Sequence, residues 1–222
     1  LSGSLEVNGS ACNLGSLNSY EIIIDASNPQ IKSKNSYKYI EEAKGFIECI
    51  NNKLLSCKKY ILFSSISVYN DNEQLITAKT RTSPYDQYGI SKVMKEEWLE
   101  DYWGMGNLEN FAILRPTGIL GIGMGYTFIN HLCTEMKKNK DVYIHSKDSL
   151  FNGIVDIESI NKIVSSIIYE NKYKNTKLVL ASYRPITLGS IVVQIGRRLG
   201  SSSCINYDAK FRKPYIVCDD CL

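Results

Sequence analysis

The chain has 222 residues, enough for one substantial domain with a small appendage, and its 44% hydrophobic and 22% charged composition is that of an ordinary globular protein. A formal net charge of +3, with Lys interspersed among Asp and Glu, forms neither a nucleic-acid stripe nor a polybasic membrane tail, which argues against nucleic acid and membrane as partners. No apolar run approaches the ~20 residues of a membrane span. Seven cysteines without framework spacing suit a reducing compartment, so a cytoplasmic protein with free thiols is expected. Cys218 and Cys221 form a C-x-x-C, but with no second ligand pair nearby they read as thiols and no metal is expected.

In chain order, residues 20–26 (Y-E-I-I-I-D-A) form a short β-branched run closed by Ser27-Asn28-Pro29, read as a strand buried on both faces. Residues 37–51 carry apolar side chains at Tyr39, Ile40, Ala43, Phe46, Ile47 and Ile50, the spacing of an amphipathic helix. Residues 60–63 (Y-I-L-F) predict a second strand ending at Ser64-Ser65. A polar surface loop follows over 70–84, with Ser83-Pro84 leading into a helix that runs to about Tyr102. Residues 111–114 predict a third strand, 127–139 a helix, 142–144 and 153–155 short strands, and 157–170 a helix. A strand over 177–180 precedes a helix over 188–199, with Thr187 as N-cap and Gly200 as stop. Strands alternating with helices predict an α/β domain with a mostly parallel sheet.

Ligands of open α/β sheets bind beyond the carboxyl ends of the strands. Three polar segments stand at such ends: residues 25–28, 64–67 and 115–118. The helix after the second strand carries Tyr88 and Lys92, four residues apart and so on one face. A tyrosine has an ordinary pKa near ~10, and a neighbouring ammonium is expected to lower it toward a range useful for proton transfer. The pair alone is weak evidence in a chain with 15 tyrosines. A serine hydroxyl at the strand end could meet the same substrate oxygen, which makes a proton-transfer constellation. Acyl transfer has no support, since G-x-S-x-G is absent.

Taken in order, Y-I-L-F-S-S-I-S-V-Y, S-P-Y-D-Q-Y-G-I-S-K and L-R-P-T-G-I-L-G resemble the extended short-chain dehydrogenase/reductase superfamily, and within it the NAD-dependent epimerase/dehydratase family acting on nucleotide sugars. D-A-S-N-P, F-N-G-I-V-D-I-E-S-I and P-I-T-L-G-S-I-V-V-Q-I-G-R-R-L-G agree in order and spacing, so the similarity runs from about Tyr20 to the C-terminus. The resemblance implies a Rossmann-like, mostly parallel sheet, truncated at the N-terminus, with a small C-terminal substrate-binding region. It divides the chain into a partial dinucleotide-binding core over 1–125 and a region of substrate-binding and late sheet elements over 126–222. It implies Tyr88 as acid/base, Lys92 as the group that lowers its pKa and holds the nicotinamide ribose, and Ser65 as the third catalytic residue. Ala26, Ser27, Pro116 and Gly118 would line NAD or NADP, the substrate would be a nucleotide sugar, and a homodimer is compatible. Ser64 and Ser67 read as strand-end caps, Asp156 as a helix N-cap, and Arg115 either as a diphosphate ligand or as a packed ion pair.

The 4,6-dehydratases of this family place Asp-Glu after the catalytic Thr. Here those positions are Ile66 and Ser67, so dehydration is not expected. Epimerisation through a transient ketone, or reduction of a keto-sugar, remains. The family's Gly-rich turn should lie well before Asp25, yet Gly3, Gly9 and Gly15 are wrongly spaced, and the cluster Gly118, Gly121, Gly123 and Gly125 does not fit G-x-G-x-x-G. The first βαβ unit is therefore expected to be missing, either because the chain is a piece of a longer enzyme, which the start at Leu1 favours, or because it is a variant that binds no dinucleotide. The second possibility leaves a non-catalytic binding or regulatory protein on the same fold as the alternative.

Overall fold

The computed structural model describes residues 19–28, 31, 33–52, 56–70, 75–123, 127–208 and 216–217. The elements are β1 (Ser19–Asp25), α1 (Lys38–Asn52), β2 (Ser56–Phe63), a 3-10 turn (Ile66–Val68), β3 (Leu75–Ile76), α2 (Gln87–Gly104), β4 (Leu108–Pro116), β5 (Gly118–Leu120), α3 (Phe128–Lys137), β6 (Val142–His145), β7 (Leu150–Phe151), β8 (Ile154–Asp156), α4 (Ile157–Tyr169), β9 (Thr176–Leu180), β10 (Ile186–Thr187), α5 (Leu188–Leu199), β11 (Ile205–Asp208) and β12 (Ile216–Val217). The fold is α/β with a mostly parallel, Rossmann-like sheet. Gly3, Gly9, Gly15, Gly125, Cys218 and Cys221 lie outside the described residues. No helix among the described residues is long and apolar enough to cross a membrane.

The chain forms two compact units, each drawn from several segments. The first holds residues 1–70, 81–115 and 162–178. Its sheet has the order β1-β2-β4-β9, with β1 parallel to β2 and β2 parallel to β4. Tyr60, Ile61, Leu62, Ile113 and Leu114 are almost wholly buried, as expected of inner parallel strands covered on both faces. One expectation is corrected here. β1 is not buried on both faces: Ile24 is 47% exposed, because β1 ends the sheet with β2 as its only partner strand among the described residues.

α1 and α2 pack together through aromatic contacts. The Trp98 ring meets Phe46 and Tyr60 edge-on, at centroid distances of 6.2 and 5.9 Å. The α2 N-cap is Asp86, and its carboxylate accepts the Gly89 N–H at 2.7 Å.

The second unit holds residues 71–80, 116–161 and 179–222. Its described pairings are short: β5 with β8, β6 with β11, β7 with β10 and β3 with β12. α3 and α5 enclose Leu132, Met136, Val142, Ile144 and Val192. Thr127 caps α3 and Thr187 caps α5, each accepting a backbone N–H three residues on. Gly200 ends α5 with φ 61°, the left-handed stop that favours glycine.

Candidate active site

The carboxyl ends of β1 and β2 and the first turns of α2 bring the sequence-expected residues of the first unit together. β2 ends at Phe63, and Ser64-Ser65 lead into the 3-10 turn. There the Ser65 side chain accepts the Ser67 N–H at 3.1 Å, which fixes its rotamer. The Ser65 hydroxyl stands close enough to the Tyr88 phenol to draw its pKa down. This contact needs α2 to sit tightly on the turn. Gly89 allows it, since a Cβ there would stand 2.2 Å from the Ser67 carbonyl oxygen. Alanine ordinarily stabilises a helix over glycine by ~0.5–1 kcal/mol. Gly89→Ala is expected instead to destabilise by about 1–3 kcal/mol, as overpacking against backbone does. Chemical denaturation checks it, and a stabilised variant would contradict the packing.

Lys92 lies one turn along α2 from Tyr88 and is 5% exposed. Its Nζ donates to the Phe63 carbonyl at 3.1 Å and to the Ser27 carbonyl at 3.2 Å, and stands 5.6 Å from the Tyr88 ring centroid. Burial, reinforced by the neighbouring Lys95 ammonium, pulls its pKa down from 10.5 to about 8. The unfolded chain therefore holds more protons than the folded one between pH 8 and 10.5, and folding becomes more favourable as pH rises through that window. Lys92→Met removes this dependence. The stability difference between wild type and variant should change by about 3 kcal/mol across the window. Denaturation curves at its two ends measure this, and a pH-independent difference would sink it.

The expected direction of the Tyr88 shift is reversed. Burial pushes the Tyr88 phenol above its ordinary value, against the pull of Ser65, and Tyr39 and Asp86 push it further. The reason is geometric: the Lys92 protons go to two carbonyls, and α1 and α2 hold the phenol away from water. Tyr39 contacts the ring edge-on at 5.2 Å.

Two buried ion pairs stand behind the site; the first was missed in the sequence, and the second was one of the two readings open for Arg115. Lys95 Nζ reaches Asp25 Oδ2 at 3.1 Å and Ser27 Oγ at 2.6 Å. Burial drives the Asp25 carboxyl up, but Lys95, Ser27 and Lys92 together hold it below the usual range. The turn at Asp25-Ala26-Ser27 is thereby tied to α2, with Ala26 exposed beside it. In the second pair, Arg115 donates through Nε and Nη2 to Glu96 and through Nη1 to Tyr69, while Ser64 donates to Glu96. Arg115 and Glu96 side chains are each 1% exposed. Arg115 is thus a packed ion pair, and Ser64 serves Glu96. Of the two open readings of Arg115, the geometry takes the ion pair.

Pro116 closes β4 and Gly118 opens β5, both in the second unit, where the Gly118 N–H donates to the Gly153 carbonyl at 3.1 Å. Asp156 caps α4, accepting from the Ser159 N–H at 2.8 Å and the Ser159 hydroxyl at 2.7 Å. A cavity of about 250 Å³ in this unit is floored by Ile129, Phe151, Ile191 and Ile195, with Arg184 and Arg198 in its wall. Among the described residues no group of three or more His, Cys, Asp or Glu could hold a metal ion.

The profile of the NAD dependent epimerase/dehydratase family matches residues 41–150, the segment that holds Ser65, Tyr88 and Lys92. Among solved structures, the chain resembles UDP-glucuronic acid 4-epimerase from Bacillus cereus in complex with NAD (TM-score 0.74, 15% identity, 90% of this chain and 65% of that one). It also resembles UDP-glucose 4-epimerase from Thermotoga maritima with UDP-glucose (0.70, 16%, 88% and 68%). A third is dTDP-4-dehydrorhamnose reductase from Clostridium acetobutylicum (0.66, 15%, 90% and 72%). The chain spans between 58% and 72% of the length of such epimerases and reductases. No curated protein matches significantly. Residues 41–150 match that family's profile, and the likeness to solved structures shows the shared fold.

Proposed function

We propose that this chain is the catalytic portion of an NAD(P)-dependent nucleotide-sugar epimerase or keto-sugar reductase, with Tyr88 exchanging the proton of the sugar hydroxyl. The observation that carries this reading is Lys92 buried one turn from Tyr88, 5.6 Å from its ring and bound to the Ser27 and Phe63 carbonyls at the carboxyl ends of β1 and β2, with Ser65 beside the phenol. A purely structural helix has no need to bury an ammonium against two carbonyls one turn from a buried phenol.

In the direction of oxidation, the phenolate of Tyr88 takes the hydroxyl proton, and Ser65 holds the same oxygen by a hydrogen bond. Lys92, still mostly protonated at neutral pH, stands 5.6 Å from the Tyr88 ring centroid with its Nζ donating to the Ser27 and Phe63 carbonyls. In the direction of reduction, the neutral phenol donates its proton to the carbonyl oxygen of a keto-sugar. The raised pKa of Tyr88 keeps the phenol protonated at neutral pH, the form from which this step starts.

The residues present fit the nicotinamide end of a dinucleotide: a buried amine at two strand ends and a turn pinned by Lys95. Ala26, Ser27, Tyr88 and Lys92 are the residues of the first unit that would hold it. When bound, NAD or NADP supplies the redox capacity that the side chains lack. Ile66 and Ser67 offer no acid and base for dehydration. The apolar floor and two arginines of the second unit's cavity suit a nucleotide base and its diphosphate.

The test is incubation of the chain with a nucleotide sugar and NAD, or a nucleotide keto-sugar and NADPH, followed by proton NMR of the sugar. An inverted or reduced carbon supports the reading. Binding of a nucleotide sugar with no dinucleotide binding and no turnover would leave the binding-protein alternative in its place.

A further inference from the structure

Lys92 is held by two main-chain carbonyls from different elements, Phe63 at the end of β2 and Ser27 just past the end of β1. Phe63 is paired with Leu114 of β4, so the sheet sets the direction of its carbonyl. The Ser27 carbonyl belongs to a turn and needs another restraint, which side chains supply. Asp25 Oδ1 accepts the Ser27 N–H at 2.9 Å and also the Ser27 hydroxyl. Lys95 Nζ then joins Asp25 Oδ2 to Ser27 Oγ. The Asp25 and Lys95 side chains are only 3% and 9% exposed. Lys95 stands three residues after Lys92 on α2, so two buried ammonium groups share one helix face. Support of the turn alone does not explain that: an uncharged pair of similar shape would hold it without setting like charges together in the interior.

We propose that Asp25, Ser27 and Lys95 are positioning residues for Lys92: they aim the Ser27 carbonyl at its ammonium and set how readily that ammonium gives up its proton. This rests on the proposed function only in giving Lys92 a part in the reaction. The two charges act in opposite senses, Lys95 disfavouring the protonated form of Lys92 and Asp25 favouring it. The other groups that face Lys92 are Tyr88, with its ring centroid 5.6 Å from Nζ, and Glu96, whose carboxylate is committed to Arg115 and Ser64. Lys95 outweighs Asp25, in keeping with the Lys92 pKa of about 8. The site therefore loses its Lys92 charge just above neutral pH, where an ordinary lysine keeps it.

The test is a pH titration of the full chain carrying ¹³C-labelled lysine, followed by NMR, with the Lys92 signal assigned by its loss in Lys92→Met. Wild type should titrate near pH 8. Lys95→Met should move the midpoint up by about one pH unit, and Asp25→Asn should move it down. Loosened packing that merely admits water would move it up in both. The double variant, Asp25→Asn with Lys95→Met, strands no buried charge and serves where a single variant fails to fold. Its midpoint should lie above that of wild type and below that of Lys95→Met. A midpoint that stays in place, one that moves the same way in both single variants, or a double variant at or below wild type overturns the inference. The alkaline limb of turnover should follow the Lys92 midpoint in each protein. Midpoints that shift while that limb stays fixed sustain this inference and remove Lys92 from the chemistry, which is a failure of the proposed function instead.

Discussion

Replacing Tyr88 with phenylalanine is expected to lower turnover by ~10²–10⁴-fold, the contribution typical of a positioned acid or base. The substitution removes one oxygen and leaves the ring, so the edge contact with Tyr39 at 5.2 Å and the packing of α1 on α2 are retained. Stability should change little, because the substitution removes only one hydroxyl of a half-buried side chain and its contact with Ser65. The informative pattern is unchanged ligand affinity with lost rate, the mark of a group that acts in the transition state. Steady-state kinetics and a thermal melt together measure it. Turnover within a few-fold of wild type would remove Tyr88 from the chemistry.

The second large effect concerns stability. Glu96→Gln keeps the shape of the side chain but leaves the Arg115 guanidinium charged and 1% exposed without its counter-ion. Breaking a buried pair from one side costs about 3–5 kcal/mol. The loss should exceed that of a surface pair such as Lys58–Glu21, where both partners are well exposed and the interaction is worth ~0–1 kcal/mol. Replacing both partners with apolar residues, Glu96→Leu with Arg115→Met, should recover much of the loss, since neither charge is then stranded. Urea denaturation of the three proteins tests it. A single variant as stable as wild type would mean that water reaches Arg115.

The pair also joins Ser64, α2, β4 and Tyr69 at the end of the 3-10 turn. Weakening it should loosen Ser65 relative to Tyr88.

The long elements were legible in the sequence because burial imposes a period. The Y-I-L-F and F-A-I-L runs became the inner strands β2 and β4, and the spacing from Tyr39 to Ile50 became α1. Ser65, Tyr88 and Lys92 were legible as an ordered pattern, and the structure sets the three side by side.

Lys95 and Glu96 were not. A Lys-Glu-Glu run ordinarily marks a solvated face, and their partners Asp25 and Arg115 lie 70 and 19 residues away. The signal was nevertheless present: positions 88, 92, 95, 99 and 102 continue one helical face, and the 3.6-residue period puts Lys95 and Glu96 on the buried side with Leu99. The edge position of β1 was invisible for another reason. An isoleucine run reports hydrophobicity, and only pairing decides which faces are covered. Two-residue strands such as β7 and β10 are too short to carry any period.

In the proposed mechanism Tyr88 moves only the hydroxyl proton, and the hydrogen on the reacting carbon never reaches water. A nucleotide sugar deuterated at C4 tests this directly. After turnover by the full chain with a dinucleotide present, the deuterium should be found back on C4 of the epimer or on the reduced dinucleotide, and not in the solvent. Deuterium released to water during turnover would contradict it.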